Sequence, residues 1–206
     1  MSRQKGDIMR DILISLKPYY YYLIGEGIKS VEVRKTYPKA EDWSRNSWFY
    51  MSRDEKSFAK IPKEFQEKYR KHFGKVGMRF VCDTIIDISH KDLAENFRRL
   101  THDIITPSCL KVQELKDYIG CKDGYGWHIT DLVVYEKPRE LSEFYTEGDC
   151  DCMNCKKCYW FDRGNGYNVE NDCNLAYKCV ELHKSFKPII RPPQSWCYIE
   201  PRQTAD

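Results

Sequence analysis

Apolar and polar positions along this chain alternate in short runs separated by helical patches. Residues 12–16 read as a strand, which Lys17 and Pro18 close. Pro18 suits the first turn of a helix over 19–24, and Gly25 or Gly27 stops it. Its four consecutive tyrosines run around the whole helix, so one or two belong in the core and the others face outward. Val31 and Val33 alternate with Ser30, Glu32 and Arg34, which predicts a strand over 30–35 with one apolar and one polar face. A third strand is expected at 47–52. Phe65, Tyr69 and Phe73 then recur at helical spacing among Lys63, Lys68, Arg70 and Lys71, giving a helix over 62–73 whose basic face is either solvated or tracks phosphate.

The long branched run 77–86 is the clearest β signal. Leu93, Phe97 and Leu100 mark a short helix. Thr106-Pro107-Ser108 opens another, with Val112, Leu115 and Ile119 inside and Gly120 past its end. A turn at 124–126 leads into a strand over 127–135 that Pro138 breaks, and 195–199 forms the last strand after Pro192 and Pro193. Short strands interrupted by helices predict an α+β fold, a small mixed β-barrel with flanking helices.

The stretch Gly27-x-Lys29-x-x-Glu32-x-Arg34 carries the chemistry. Side chains on a strand repeat every second residue, so Glu32 and Arg34 share one face. Lys29 has the opposite parity and joins them only if Gly25 and Gly27 bend the backbone. An ammonium, a carboxylate and a guanidinium would then converge at one end of a sheet, a fit for an anionic or planar polar ligand such as a nucleotide. The alternative is a solvated strand face with an Arg–Glu pair.

These residues match in full the GxKxxExR motif of the ASCH domains, members of the PUA-like superfamily. The flanking Ile14-Ser15-Leu16-Lys17-Pro18, the later Gly126-Trp127-His128-Ile129 and Pro192-Pro193-Gln194-Ser195-Trp196 also resemble strands of bacterial and phage ASCH proteins. The resemblance spans about residues 10 to 200 and implies a PUA-like barrel with a cleft for RNA or a modified nucleotide. Lys17, Gly27, Lys29, Glu32 and Arg34 would line that cleft, with Ser15 beside Lys17. Trp127 or Trp196 would supply either a stacking surface or core packing.

Some members are enzymes, so a hydrolase of nucleosides (an N4-acetylcytidine amidohydrolase) or a ribonuclease is a second expectation, with Lys29 and Glu32 catalytic. The amidohydrolase branch has threonine where this chain has Glu32, and a carboxylate there stabilises an ammonium rather than a neutral amine. A phage-type protein that occupies a host factor is a third. His128 is the one histidine that invites a test.

Composition refines the picture. With 206 residues, 41% apolar and 14% aromatic, the chain can bury a core as a single domain over 1–206. Its net charge of +3 is uneven. Residues 1–80 hold eighteen Lys and Arg against ten Asp and Glu, and residues 81–206 hold sixteen against twenty-one. The basic half suits phosphate contact. A polar N-terminus and the lack of a membrane-length apolar run point to a cytoplasmic protein with no membrane partner.

In a reducing compartment the ten cysteines are thiols or metal ligands rather than disulfides. Six of them crowd into an insert over 145–190. Cys155 and Cys158 form a CxxC pair, and Cys173 and Cys179 return after a loop. Four thiolates around a structural Zn²⁺ would fold this polar segment. Cys150, Cys152 and His183 leave the ligand set open, and reactive thiols or an iron–sulfur cluster are the alternatives. Cys82, Cys109, Cys121 and Cys197 are expected to be buried thiols.

Overall fold

The computed structural model describes residues 9–39, 42–89, 100–148 and 185–199. Strand β1 (Arg10–Leu16) leads into helix α1 (Pro18–Gly25), and Tyr21 N–H donates back to the Lys17 carbonyl at 3.0 Å. Strands β2 (Val31–Arg34) and β3 (Trp43–Met51) follow, then helices α2 (Glu55–Phe58) and α3 (Lys63–Arg70). Next come β4 (Val76–Val81), β5 (Ile85–Ile88), a wide helical turn over Thr101–Ile105 running into α4 (Thr106–Ser108), and α5 (Val112–Ile119). The chain continues through β6 (Gly124–His128), β7 (Thr130–Arg139), β8 (Tyr145–Gly148), β9 (Ser185–Pro188) and β10 (Trp196–Ile199).

The architecture is α+β, with two principal sheets. Five strands lie in the order β10-β1-β3-β4-β7, three in the order β2-β6-β5, and β8 pairs with β9 as a separate ribbon. Pairing is antiparallel except between β1 and β3. Alternation explains the layering. Ile12, Ile14, Phe49, Met51, Met78 and Phe80 point to one side of the large sheet and share a cluster with Trp43 and Trp127. Because Trp127 belongs to the small sheet, this cluster is the core between the sheets. Phe49 and Phe80 stack there at 4.4 Å, and each fully buried side chain of this size contributes roughly 1.5–3 kcal/mol. Leu13, Trp48 and Tyr50 point to the other side, under Leu141, Phe144 and Ile189. Val31, Val33 and Ile88 face Leu100, Ile104, Leu115 and Ile119 across the back of the small sheet.

Among the described residues the expected closed barrel is not formed, because the ladder of hydrogen bonds stops at the edges of each sheet. The two long β runs are each two strands. The run 77–86 divides at Cys82–Thr84, so that Val81 ends β4 in the large sheet and Ile85 opens β5 in the small one. The run 127–135 divides at Ile129, with Asp131 at φ 48 just inside β7. These runs look continuous in sequence because no Gly or Pro marks the crossing between the sheets. Pro138 does not end its strand: β7 is an edge strand, where a missing N–H costs no ladder bond. The helix expected to open at Thr106 is interrupted, since Cys109 turns left-handed at φ 56 and α5 starts afresh with Lys111 N–H donating to Glu114 Oε2 at 2.8 Å. The short helix expected at Leu93 and Phe97 lies outside the described residues.

The β8–β9 ribbon pairs Tyr145 with Pro188 and Gly148 with Ser185. The cysteine-rich segment leaves and re-enters there, and Cys155, Cys158, Cys173 and Cys179 lie outside the described residues, as do Cys150, Cys152 and His183.

Candidate functional site

The turn after α1 sets the geometry. Gly27 adopts φ 70, a conformation strained for any residue with a Cβ. Its N–H donates to Ile24 O at 2.9 Å, and the N–H groups of Ile28 and Lys29 both donate to Leu23 O, at 2.8 and 3.0 Å. This wrapped turn brings Lys29 round to the face of Glu32. Gly25 serves packing instead, because a Cβ there would stand 2.6 Å from the Met78 methyl.

Lys29, Glu32 and Arg34 do converge. Lys29 Nζ lies 3.2 Å from Glu32 Oε2, and Arg34 donates to Glu32 Oε1 at 3.0 Å. Lys29 also donates to the carbonyls of Val31 at 2.7 Å and Ser108 at 2.8 Å. An ammonium has three N–H donors, so these acceptors use all of them. Arg34 donates to Ser15 O at 2.7 Å and lies 3.5 Å from Ser195 Oγ, while its Nε has no partner.

The triad is buried, with Lys29, Glu32 and Arg34 exposed by 2%, 7% and 6%. The pairing explains why. Glu32 stands opposite Trp127 and Arg34 opposite Tyr125, so the polar face of β2 shares the side of Trp127 and turns into the space between the sheets. The expected solvent-facing polar side is therefore an interior one. Burial lowers the Lys29 pKa below its ordinary value, and Glu32 pulls it back up. With every donor committed and a carboxylate in contact, Lys29 is built to stay charged and fixed. That is poor ground for a general base or nucleophile. Breaking such a buried set by removing one member costs about 3–5 kcal/mol.

Open space begins one layer out. A cleft of about 600 Å³ is lined by Lys17, Lys56, Lys60 and Lys111 together with Tyr19 and Tyr20. Tyr20 joins it to the triad, its ring centroid 5.5 Å from Lys29 Nζ. Two carboxylates also line the cleft, and both are occupied: Asp54 accepts from Ser57 N–H at 3.0 Å, capping α2, and Glu114 accepts from Lys111 N–H. Four ammonium groups outnumber these two carboxylates and, beside two phenol rings, make a surface for phosphates and bases. Of these six, only Lys17 is placed in the site by the sequence, which puts the tyrosines on a helix with some of them facing outward. Lys56, Lys60 and Lys111 come from two distant segments, and no periodicity marks them.

The remaining expectations divide. Tyr21 and Tyr22 are core and Tyr19 and Tyr20 only partly buried. Trp127 is fully buried against Trp43 at 5.2 Å, so it is core and not a stacking surface. Trp196 packs on Trp127 at 6.3 Å and donates to Thr36 Oγ1 at 3.1 Å. Two of the α3 cations are tied to partners on the outer side, Lys68 to Glu26 at 2.6 Å and Arg70 to Glu55 at 2.9 Å, as a solvated face would be. His128 Nδ1 lies 2.7 Å from Asp83 Oδ1.

Of the four cysteines expected to be buried, Cys82 is; Cys121 is exposed and Cys109 and Cys197 are intermediate. Burial pushes the Cys82 thiol up to about 12 and Cys197 to about 11, which leaves both protonated and inert. Among the described residues no cluster of three metal-ligating side chains occurs, and no helix is long and apolar enough to cross a membrane.

No protein-family model matches the chain. No curated protein matches it. Among solved structures, it is similar to an ASCH protein from Zymomonas mobilis at 17% identity and a TM-score of 0.44, covering 92% of this chain and 87% of that one. Two point mutants of the Zymomonas mobilis protein, one tyrosine-to-phenylalanine and one serine-to-alanine, give 16% identity at the same TM-score. They cover 92% and 93% of this chain and 89% of theirs. Likeness at this level carries no argument about ligand or activity.

Proposed function

We propose that this chain is a PUA-like, ASCH-type module that binds single-stranded RNA or a modified nucleotide in the cleft beside the GxKxxExR motif. The lysine-and-tyrosine lining of that cleft carries the reading: Lys17, Lys56, Lys60 and Lys111 meet phosphates, and Tyr19 and Tyr20 stack on bases. The motif triad acts from behind. It locks the turn after α1 and holds Tyr20 at the cleft's inner wall. Arg34 is enclosed with the rest of the triad, and its Nε is buried without a partner.

Fluorescence anisotropy with labelled single-stranded RNA tests this. Affinity should fall steeply with salt, with a logarithmic slope of about 0.7 per phosphate contacted. Salt-independent binding, or binding unchanged after Lys56 and Lys60 are both replaced by Ala, overturns it. We further propose one structural Zn²⁺ per chain, held by Cys155, Cys158, Cys173 and Cys179 in the insert. Metal analysis of protein purified without chelator should return one zinc per chain, and Cys155→Ser with Cys158→Ser should abolish it.

A further inference from the structure

A second cleft, of about 330 Å³, opens past the C-terminal end of β2, among Tyr37, Trp43, Arg45, Asp83, Ile85 and Asp87. Its size suits one nucleobase or nucleoside, not a length of strand. Tyr37 is 45% exposed, yet its ring is braced edge-on against Tyr125 at 4.6 Å. A rigid, accessible aromatic ring favours a planar ligand. Arg45 holds φ 71, strained for a residue with a side chain, and its guanidinium lies 5.2 Å from the Trp43 ring centroid. Among the described residues that guanidinium has no hydrogen bond or ion pair, and neither has the Asp87 carboxylate. Asp83 is held by His128 at 2.7 Å, which orients it.

The cleft thus offers a planar stacking surface, one uncommitted fork of donors, and carboxylate acceptors. Two carboxylates against a single guanidinium leave this cleft net negative, so a phosphate group is not what it takes. The four bases differ in how well they fit. Uracil has a single N–H between two carbonyls, and adenine has an amine but no carbonyl. Cytosine has one amine and one carbonyl. Guanine presents two adjacent donors, N1–H and the N2 amine, to a carboxylate and two acceptors, O6 and N7, to a guanidinium.

We propose that this cleft is a second binding site, selective for a guanine base, with Tyr37 stacking, Arg45 donating to the O6/N7 edge and Asp87 accepting from N1–H and N2. It is independent of the lysine cleft, and a phosphate-free probe keeps the two readings apart. Guanosine, adenosine, cytidine and uridine are titrated into the full chain and followed by calorimetry and tryptophan fluorescence. Guanosine should saturate at least tenfold more tightly than the other three. Arg45→Gly, which suits the left-handed backbone, and Asp87→Asn at an exposed position should each weaken guanosine at least tenfold. Tyr37→Ala should do the same while Tyr37→Phe binds as the parent does. Equal affinity for all four nucleosides, no saturable guanosine binding, or wild-type affinity in Arg45→Gly and Asp87→Asn overturns the proposal.

Discussion

The motif triad and the lysine cleft beside it hold the same kinds of charge in opposite conditions. Lys29 spends its three donors on two carbonyls and a carboxylate, inside the protein. Lys56, Lys60 and Lys111 line a cleft whose two carboxylates are already engaged as helix caps. A buried, saturated cation stabilises a fold; an accessible, uncommitted one attracts a ligand. The most recognisable residues of the chain therefore act as a keystone, and the residues suited to touch a ligand are ones that no motif singles out.

The largest effect that separates the two regions comes from Glu32→Gln. It leaves two buried cations without their shared anion and should cost about 3–5 kcal/mol in urea denaturation. A loss below 1 kcal/mol would mean that water reaches the triad, and the contrast between keystone and cleft would collapse.

Next in size is a pH effect at another buried polar group of the frame. His72 lies against Tyr21 Oη at 3.0 Å, and burial, aided by Lys71 and Lys68, lowers its pKa from 6.5 to about 4. The unfolded chain binds a proton between these values and the folded one does not. The neutral ring therefore contributes stability that is present above pH 6.5 and lost as pH falls toward 4. Between pH 7 and pH 4 the wild type should lose roughly 3 kcal/mol more than His72→Gln. Equal losses in the two proteins would show that the ring takes up its proton without unfolding anything.

How far this division could be read from sequence depends on which rule decides each residue. β1, α1 and β2 follow from local patterning, because Pro18, Gly27 and the Val31/Val33 alternation each act within a few residues. The convergence of Lys29 on Glu32 was legible for the same reason. Its burial was not, since the direction in which the polar face of β2 turns is set by pairing with β6, almost a hundred residues away. The crossings at Cys82–Thr84 and Ile129 carry no Gly or Pro to mark a boundary, so the apolar and β-branched run reads as one strand although its two halves pair in different sheets. The lysine cleft is a product of tertiary placement alone, assembled from the start of α1, the region of α2 and the start of α5.

Inside the cleft the aromatic component should outweigh any single lysine. Tyr20→Leu keeps apolar bulk but removes the stacking face, and should weaken single-stranded RNA by about 1–3 kcal/mol. The phenol of Tyr20 is partly buried, with its pKa raised by burial and by Glu114 and Glu32, so it stays neutral across the working pH range. Its contribution should accordingly be flat from pH 6 to pH 9. A pH-dependent loss would instead implicate ionisation and argue against simple stacking.

The smallest expected effect is the most diagnostic of the contrast. Lys60 is an exposed residue of the cleft rim, and no hydrogen bond fixes its ammonium among the described residues. Lys60→Ala should therefore change stability by less than about 0.5 kcal/mol, the range of ordinary surface substitutions. Its signature belongs to binding: one fewer phosphate contact should reduce the salt slope for single-stranded RNA by about 0.7 and weaken binding across sequences without changing preference. Lys29→Met supplies the mirror image, a keystone change that lowers stability first and affects RNA only as the fold loosens. If Lys29→Met kept its melting temperature while losing RNA affinity, and Lys60→Ala bound as the parent does, the roles assigned to the two lysines would be reversed. The ligand would then have to reach the amine that the fold encloses.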